Sequence, residues 1–285
     1  MNKRIIITTD GVCDLTEDIL KEYDIPAIHF YITTDHGCFR DQDEITSANV
    51  IEYFQNGGKY IATQAPTVAD YENFFTKVLK TKDCDEIIHI TITNTMSRAM
   101  ANASVAAEQF DGKIHIFNSM HLSTGVAQLV LQAVGLAREG KDSAEILRVL
   151  DKQKGKVCTS FIAENADYLY RNKRVSKLVK NSCELFRIHP VLEMQNGTMY
   201  PKSLRFGAYN KSIIRYVQRQ LKKAGRIDSK RIFITHAGCT LKTVTMVKKV
   251  IQAQSFFEEI IITKASATIS SNCGANAIGI IFVKE

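Results

Sequence analysis

The spacing of apolar residues changes period along the chain, and each change marks an element. Continuous β-type runs at Arg4–Thr8, Pro26–Thr33, Glu86–Ile92 and Lys113–Phe117 predict buried strands. Between them, apolar residues recur every three to four positions over Asn49–Gln55, Val68–Lys80 and Ser97–Phe110, the spacing of helices with one buried face. Helical spacing continues over Leu122–Arg138 and Ser143–Lys154. Thr67 before "VADYENFF" predicts an N-cap, with Asp70 as its capping-box partner. Repeated strand–helix alternation predicts a parallel sheet covered by helices.

The second half has a different rhythm. "VCTSFIA" (157–163) reads as a strand, and two short helices follow over Ala166–Lys180. "RIHPVLEMQNGTMYP" (187–201) carries Asn196-Gly197 between extended segments, a strong hairpin signal. A basic helix, Asn210–Lys223, leads to strand Arg231–Thr235, helix Leu241–Gln254, strand Glu259–Thr263 and a last strand, Ile278–Val283. The pattern therefore predicts two α/β domains, residues 1–155 and 156–285.

Composition sets outer limits. A chain of 285 residues can give each of two domains its own core. With 45% apolar and 24% charged residues it has an ordinary globular balance. The N-terminus does not resemble a secretion signal and no apolar run approaches a membrane span, so a cytoplasmic protein is expected, with at most transient contact with a membrane surface. Seven scattered cysteines, none in a C-x-x-C pair, read as reduced thiols, and no metal constellation appears.

Charge alters this picture. The net charge is +7, yet residues 171–231 alone carry +13, from 16 Lys/Arg and three acids, and the remainder carries −6. The basic segment is either a surface for an anionic partner or the solvated face of amphipathic helices. It lacks the interleaved aromatic platform of a nucleic-acid binder, so no nucleic acid is expected.

Small polar residues gather where strands end: Thr8-Thr9-Asp10, "ATQAPT" (62–67), "TITNTMS" (91–97) and Asn118-Ser119. In an open parallel sheet these ends share one edge, where ligands bind and helix N-termini favour anions. Thr63, Thr93 and Ser97 either converge on one anionic group or each cap a helix. Asp10, followed by Gly11, raises the alternative of a small-molecule phosphatase or transferase. His89 and His115 lie inside strand runs and read as packed, whereas His236 ends a strand. Without a phosphate-binding glycine loop, a nucleophile elbow or a nucleophile–base pair, autonomous catalysis is not expected.

Several stretches resemble a known family in order along the chain. "TTDGVCDL" (8–15) is similar to the T-D-S-x-x-D-L opening of the DegV family, and "TQAPTVADY" (63–71) to its T-S-Q-P-S-x-G-E-F. "TNTMSRAMANA" (93–103) resembles S-S-x-L-S-G-T-Y-x-S-A, and "FNSMHLSTG" (117–125) resembles D-S-x-x-x-S-x-G. "LYRNKRV" (169–175), "HPVL" (189–192) and "NCGANAIGI" (272–280) are similar to L-x-x-x-G-R-I, K-P-I-L and H-x-G-P-G-x-x-G. The resemblance implies a two-domain α/β fold with an N-terminal parallel sheet flanked by helices, a second α/β domain, and a long-chain fatty acid held between them. Some family members are the acyl-carrying subunit of a fatty acid kinase, whose separate ATP-binding subunit phosphorylates the carboxylate for phospholipid synthesis. By position, Thr63, Thr93, Asn94 and Ser97, with Asn272 and Gly274, would contact the fatty acid. Arg174 and Arg205 would serve kinase docking or phosphate handling. No cofactor is implied beyond the bound lipid. The chain departs from the family pattern at Gly11 (serine), Ala65 (glutamine), Ser97-Arg98-Ala99-Met100 (S-G-T-Y), Asn118 (aspartate) and Asn272 (histidine).

Overall fold

A computed structural model describes residues 3–171, 176–254 and 257–285. In chain order its first elements are β1 (Ile5–Asp10), α1 (Glu17–Glu22), β2 (Ala27–Ile28), β3 (Tyr31–Thr34), β4 (Gly37–Arg40), α2 (Ser47–Gln55), β5 (Ala62–Gln64) and α3 (Val68–Lys82). Then come β6 (Glu86–Thr91), α4 (Ala99–Ala107), β7 (Ile114–Asn118), α5 (Thr124–Arg138), α6 (Ser143–Lys154), β8 (Val157–Ile162), α7 (Asp167–Arg171) and α8 (Lys177–Leu185). The chain closes with β9 (Ile188–Gln195), β10 (Thr198–Phe206), α9 (Tyr209–Ala224), β11 (Ile227–His236), α10 (Leu241–Gln254), β12 (Glu259–Lys264), α11 (Ala267–Cys273) and β13 (Ile278–Lys284).

These elements form two compact units. The first comprises Met1–Glu44, Ala62–Val157 and Asn196–Thr198, and the second comprises Ile45–Ile61, Cys158–Gln195 and Met199–Glu285. Two excursions, 45–61 and 196–198, thus cross the single boundary drawn from the sequence.

In the first unit the β2-β1-β6-β7 sheet is parallel, with Ile7 opposite Ile88 and Ile88 opposite His115. Its central strands are buried almost throughout, which explains their unbroken apolar runs. The Thr67 cap forms as the sequence predicts. Its hydroxyl accepts from Asp70 N at 3.2 Å, and Asp70 Oδ2 accepts from Thr67 N at 2.8 Å.

One expectation is corrected here. The run Pro26–Thr33 is not a single strand: β2 joins the parallel sheet, while β3 pairs antiparallel with β4 and β5 in a separate sheet. An apolar run encodes burial but does not choose a partner strand.

The second unit holds a mixed sheet, β10-β9-β8-β13-β11-β12, in which β11 runs parallel to β12 and antiparallel to β13. Helix α9 lays Ile213, Tyr216, Val217 and Leu221 into a core shared with Ile232, Ile234, Ile280 and Phe282. Tyr216 brings a polar tip into that core and satisfies it, donating to Ser160 O at 2.8 Å and accepting from Ile280 N at 3.1 Å. At the hairpin turn, Asn196 (φ 47°) and Gly197 (φ 80°) both adopt the left-handed conformation that a two-residue primed turn requires.

Helix α11 escapes the sequence reading because "ATISSNC" has no apolar period. It is made by a cap, with Ile269 N donating to Ser266 Oγ at 3.3 Å, and by packing on α2, where Ser47 and Ser270 hydroxyls meet at 2.6 Å.

Candidate functional site

The polar end of β1 is not an open crevice. Thr8, Thr9 and Asp10 belong to the strand, and all three are fully enclosed. Asp10 Oδ1 accepts from the Tyr71 hydroxyl at 2.6 Å and from His89 Nε2 at 3.3 Å, and its Oδ2 accepts from Ile92 N at 2.9 Å. His89 therefore carries a proton on Nε2, and its Nδ1 lies 2.9 Å from Thr8 Oγ1. Thr9 Oγ1 donates to Ile90 O at 2.9 Å. Burial first, and the Asp10 carboxylate next, hold Tyr71 well above the ordinary phenol range, so it stays a donor. A nucleophile must reach its substrate, and this carboxylate is sealed and bonded on both oxygens. The phosphatase or transferase reading of Asp10 finds no support in this geometry.

The end of β6 is built differently. Thr93 is buried, and its hydroxyl donates to Gly197 O at 2.8 Å; Thr95 donates to the same carbonyl. A Cβ at Gly197 would lie 2.7 Å from Thr93 Oγ1, so close approach as well as positive φ requires glycine there. With its hydrogen committed, Thr93 can offer a carboxylate nothing unless the turn releases it.

Beyond Thr93 the donors open up. Asn94 is exposed, and Ser97 is half-buried. Ser97 Oγ accepts from Ala99 N at 3.1 Å at the start of α4, a bond that leaves its own hydrogen free to donate. Thr63 is exposed on β5 opposite Ile32, with its hydroxyl outside every side-chain bond described for that strand. Asn102 of α4 ties the two segments together by donating to Pro66 O at 2.7 Å.

In the second unit, Asn272 spends its amide hydrogens locally, on Thr268 O at 2.8 Å and Ser271 Oγ at 3.3 Å. The Thr268 carbonyl can only accept, which fixes the amide orientation. Gly274 sits at φ 89°, and a Cβ there would meet the Tyr168 ring at 2.5 Å. Both residues thus have structural duties at the end of α11. His236 accepts from Cys239 N at 3.2 Å through Nδ1, and burial followed by Lys264 lowers its pKa, so the ring is held neutral.

Arg205 is half-buried on β10 and donates to Leu204 O at 2.9 Å. Burial first, then Arg219 and Arg215, hold it below the ordinary arginine range. Arg174 lies outside the described residues. Among the described residues no group of three or more His, Cys, Asp or Glu is placed to hold a metal ion, and no helix is long and apolar enough to cross a membrane.

The chain resembles known proteins along its whole length. The model of the DegV family matches residues 4–285. The chain belongs to the DegV family. A DegV domain-containing protein of Staphylococcus aureus is 24% identical over 286 residues, covering all of both chains. Among solved structures, a DegV family protein from Thermus thermophilus described by its fatty acid binding superposes with a TM-score of 0.89 at 21% identity, over 99% of this chain and 100% of that one. The Streptococcus pneumoniae fatty acid kinase B3 protein, loaded with linoleic acid, superposes at 0.83 and 20% identity over 99% of each chain.

Two departures from the DegV pattern have local causes. At Gly11 a Cβ would lie 2.3 Å from the His29 ring, so the family's serine has no room while His29 stands there, paired to Asp43 at 3.0 Å. Asn118 in place of the family aspartate keeps the turn that follows, its Oδ1 accepting from Met120 N at 3.0 Å. The Asp10 network was missed by sequence reasoning, and its one visible signal was an acid inside a β run.

Proposed function

We propose that this protein binds a long-chain fatty acid and holds its carboxylate with the donors left open beyond β5 and β6, Thr63 and Ser97 with Asn94 beside them. Thr93 joins them only when it exchanges the Gly197 carbonyl for the ligand. The observation that carries this reading is whole-chain likeness to proteins described as fatty-acid-binding, combined with uncommitted hydroxyls at the matching positions. The energetics are favourable. About 15 methylenes at ~0.8 kcal/mol each offer roughly 12 kcal/mol gross, against association costs of several kcal/mol.

The bound lipid is then presented, in the cytoplasm, to a separate ATP-binding kinase subunit, with Arg205 and Arg174 in docking or phosphate handling. The described kinase B3 neighbour supports this step. The lipid is the one small molecule the reading requires, without a metal or other cofactor. Denaturing mass spectrometry of lipid extracted from the purified protein is the direct test, with a long-chain fatty acid expected near one per chain. Absence of such a lipid, together with failure to take up added fatty acid, would sink the proposal.

A further inference from the structure

Helix α9 is two-faced. Ser212, Ile213, Tyr216, Val217, Gln220 and Leu221 are buried, while Arg215, Gln218, Arg219 and Lys222 are exposed. The outer cations, with Gly225, Ile227, Gln254 and Phe257, line a groove of about 1010 Å³. Its floor is apolar, from Leu221, Phe257 and Ile227, and its rim carries three cations and two amides.

Among the described residues, the acids nearest in sequence are bonded elsewhere. Glu193 is held by Gln220 at 2.8 Å and Lys223 at 2.9 Å, Glu285 by Arg226 at 2.7 Å, and Glu259 by Arg231 at 3.0 Å. Asp228 accepts from Lys230 N at 2.9 Å. Among the described residues, Arg215, Arg219 and Lys222 have no acidic partner. Arg215 and Arg219 are four apart, and Arg219 and Lys222 three apart, spacings at which like charges destabilise a helix. Arg205 adds to the same positive field. A fold shaped only for stability would intersperse acids here, as it does at Lys223 and Arg231.

We propose that this groove binds a soluble, polyphosphate-bearing small molecule, its phosphoryl oxygens taken by Arg215, Arg219 and Lys222 and its less polar part resting on Leu221, Ile227 and Phe257. Guanidinium forks match phosphoryl oxygens in pairs, and three converging cations suit a multiply charged group. The groove is open, so a ligand there keeps one side in water while its charged groups meet the three cations. The carbonyl end of α9 at Gly225 opposes an anion with about half a unit charge, which three full positive charges outweigh. The inference does not depend on fatty acid binding.

The probe is sodium tripolyphosphate, titrated calorimetrically into the full chain at low and at physiological salt. Saturable binding is expected, weakened about tenfold or more in the pair Arg215→Gln/Arg219→Gln, with fatty acid uptake unchanged. The pair Lys242→Gln/Lys249→Gln removes the same charge from exposed sites on α10 and should leave the affinity as it was. Should the glutamine pair fail to fold, Arg215→Lys/Arg219→Lys keeps the charge, loses the forks, and is expected to bind with intermediate affinity. Equal weakening by the α10 pair would reduce the effect to diffuse attraction and overturn the proposal. So would no binding of tripolyphosphate, or arginine-dependent capture of phosphatidylglycerol vesicles or an acidic peptide in its place.

Discussion

At the end of β1, Thr8, Thr9 and Asp10 are enclosed and bonded to Tyr71, His89, Ile90 and Ile92. At the end of β6, an equally polar run reaches the surface at Asn94, and Ser97 keeps a hydrogen to give. In sequence the two ends look alike, since each is a β run closing on small polar residues. The difference lies in how many partners arrive from elsewhere. Where donors and acceptors balance inside the fold, a polar strand end is a structural joint. Where donors exceed acceptors, it is a place for an anion.

The largest test of this contrast is Asp10→Ala. Removing the carboxylate strands the Tyr71 hydroxyl, the His89 N–H and the Ile92 N–H in a sealed site. The expected loss is about 3–5 kcal/mol of stability, read by denaturant unfolding, with fatty acid affinity of the folded fraction unchanged. Near-normal stability with lost affinity would reverse the roles of the two ends.

Next in size is an acid-driven loss of stability through His121, which follows β7. Burial lowers its pKa to about 4, against a weaker opposing pull from the Lys154 carbonyl, to which Nε2–H donates at 2.9 Å. The unfolded chain takes up the proton near pH 6.5, whereas the folded chain refuses it until about pH 4. Stability should therefore fall with falling pH across that window, by about 1.4 kcal/mol per unit and roughly 3 kcal/mol in all. Unfolding of His121→Gln at several pH values should show a flatter slope. An unchanged slope would assign the acid sensitivity to other groups, His236 first among them.

Thr63→Val keeps a β-branched residue on β5 and removes only the hydroxyl. Fatty acid affinity should drop by about 1.5–3 kcal/mol, as for a charge-assisted bond, with unfolding nearly unaltered. Equal affinity in the two proteins would show that the open hydroxyl at β5 is solvated rather than functional.

The smallest effect is expected at Asn272→His. Because the Asn272 amide serves Thr268 and Ser271, binding isotherms for the two proteins should superimpose between about pH 5.5 and 8, apart from a stability loss near ~1 kcal/mol for the neutral bond. Tighter binding by the histidine variant at the acidic end would instead put position 272 against the carboxylate.

Local chemistry was legible in the chain. The Thr67–Asp70 box, the Asn196-Gly197 turn and the extent of α6 each depend on residues within a few positions, and each forms as the sequence predicts. The split of Pro26–Thr33 between two sheets, the short strands β4 and β5, and helix α11 were not legible. Those elements take their stability from partners distant in sequence, and α11 shows no apolar period of its own.

The sequence by itself determined the α/β class, the placement of a basic segment and the polar strand ends, because period, charge and turn preference are properties of neighbouring residues. Only the tertiary structure decided which polar ends are spent. The three donors to Asp10 come from 61, 79 and 82 positions away, and the acceptor for Thr93 from 104. The basic face of α9 likewise became a groove only when Ile227, Gln254 and Phe257 were brought against it. A hydrogen-bond balance or a concave wall is a sum over residues that meet in space, and no window along the chain contains that sum.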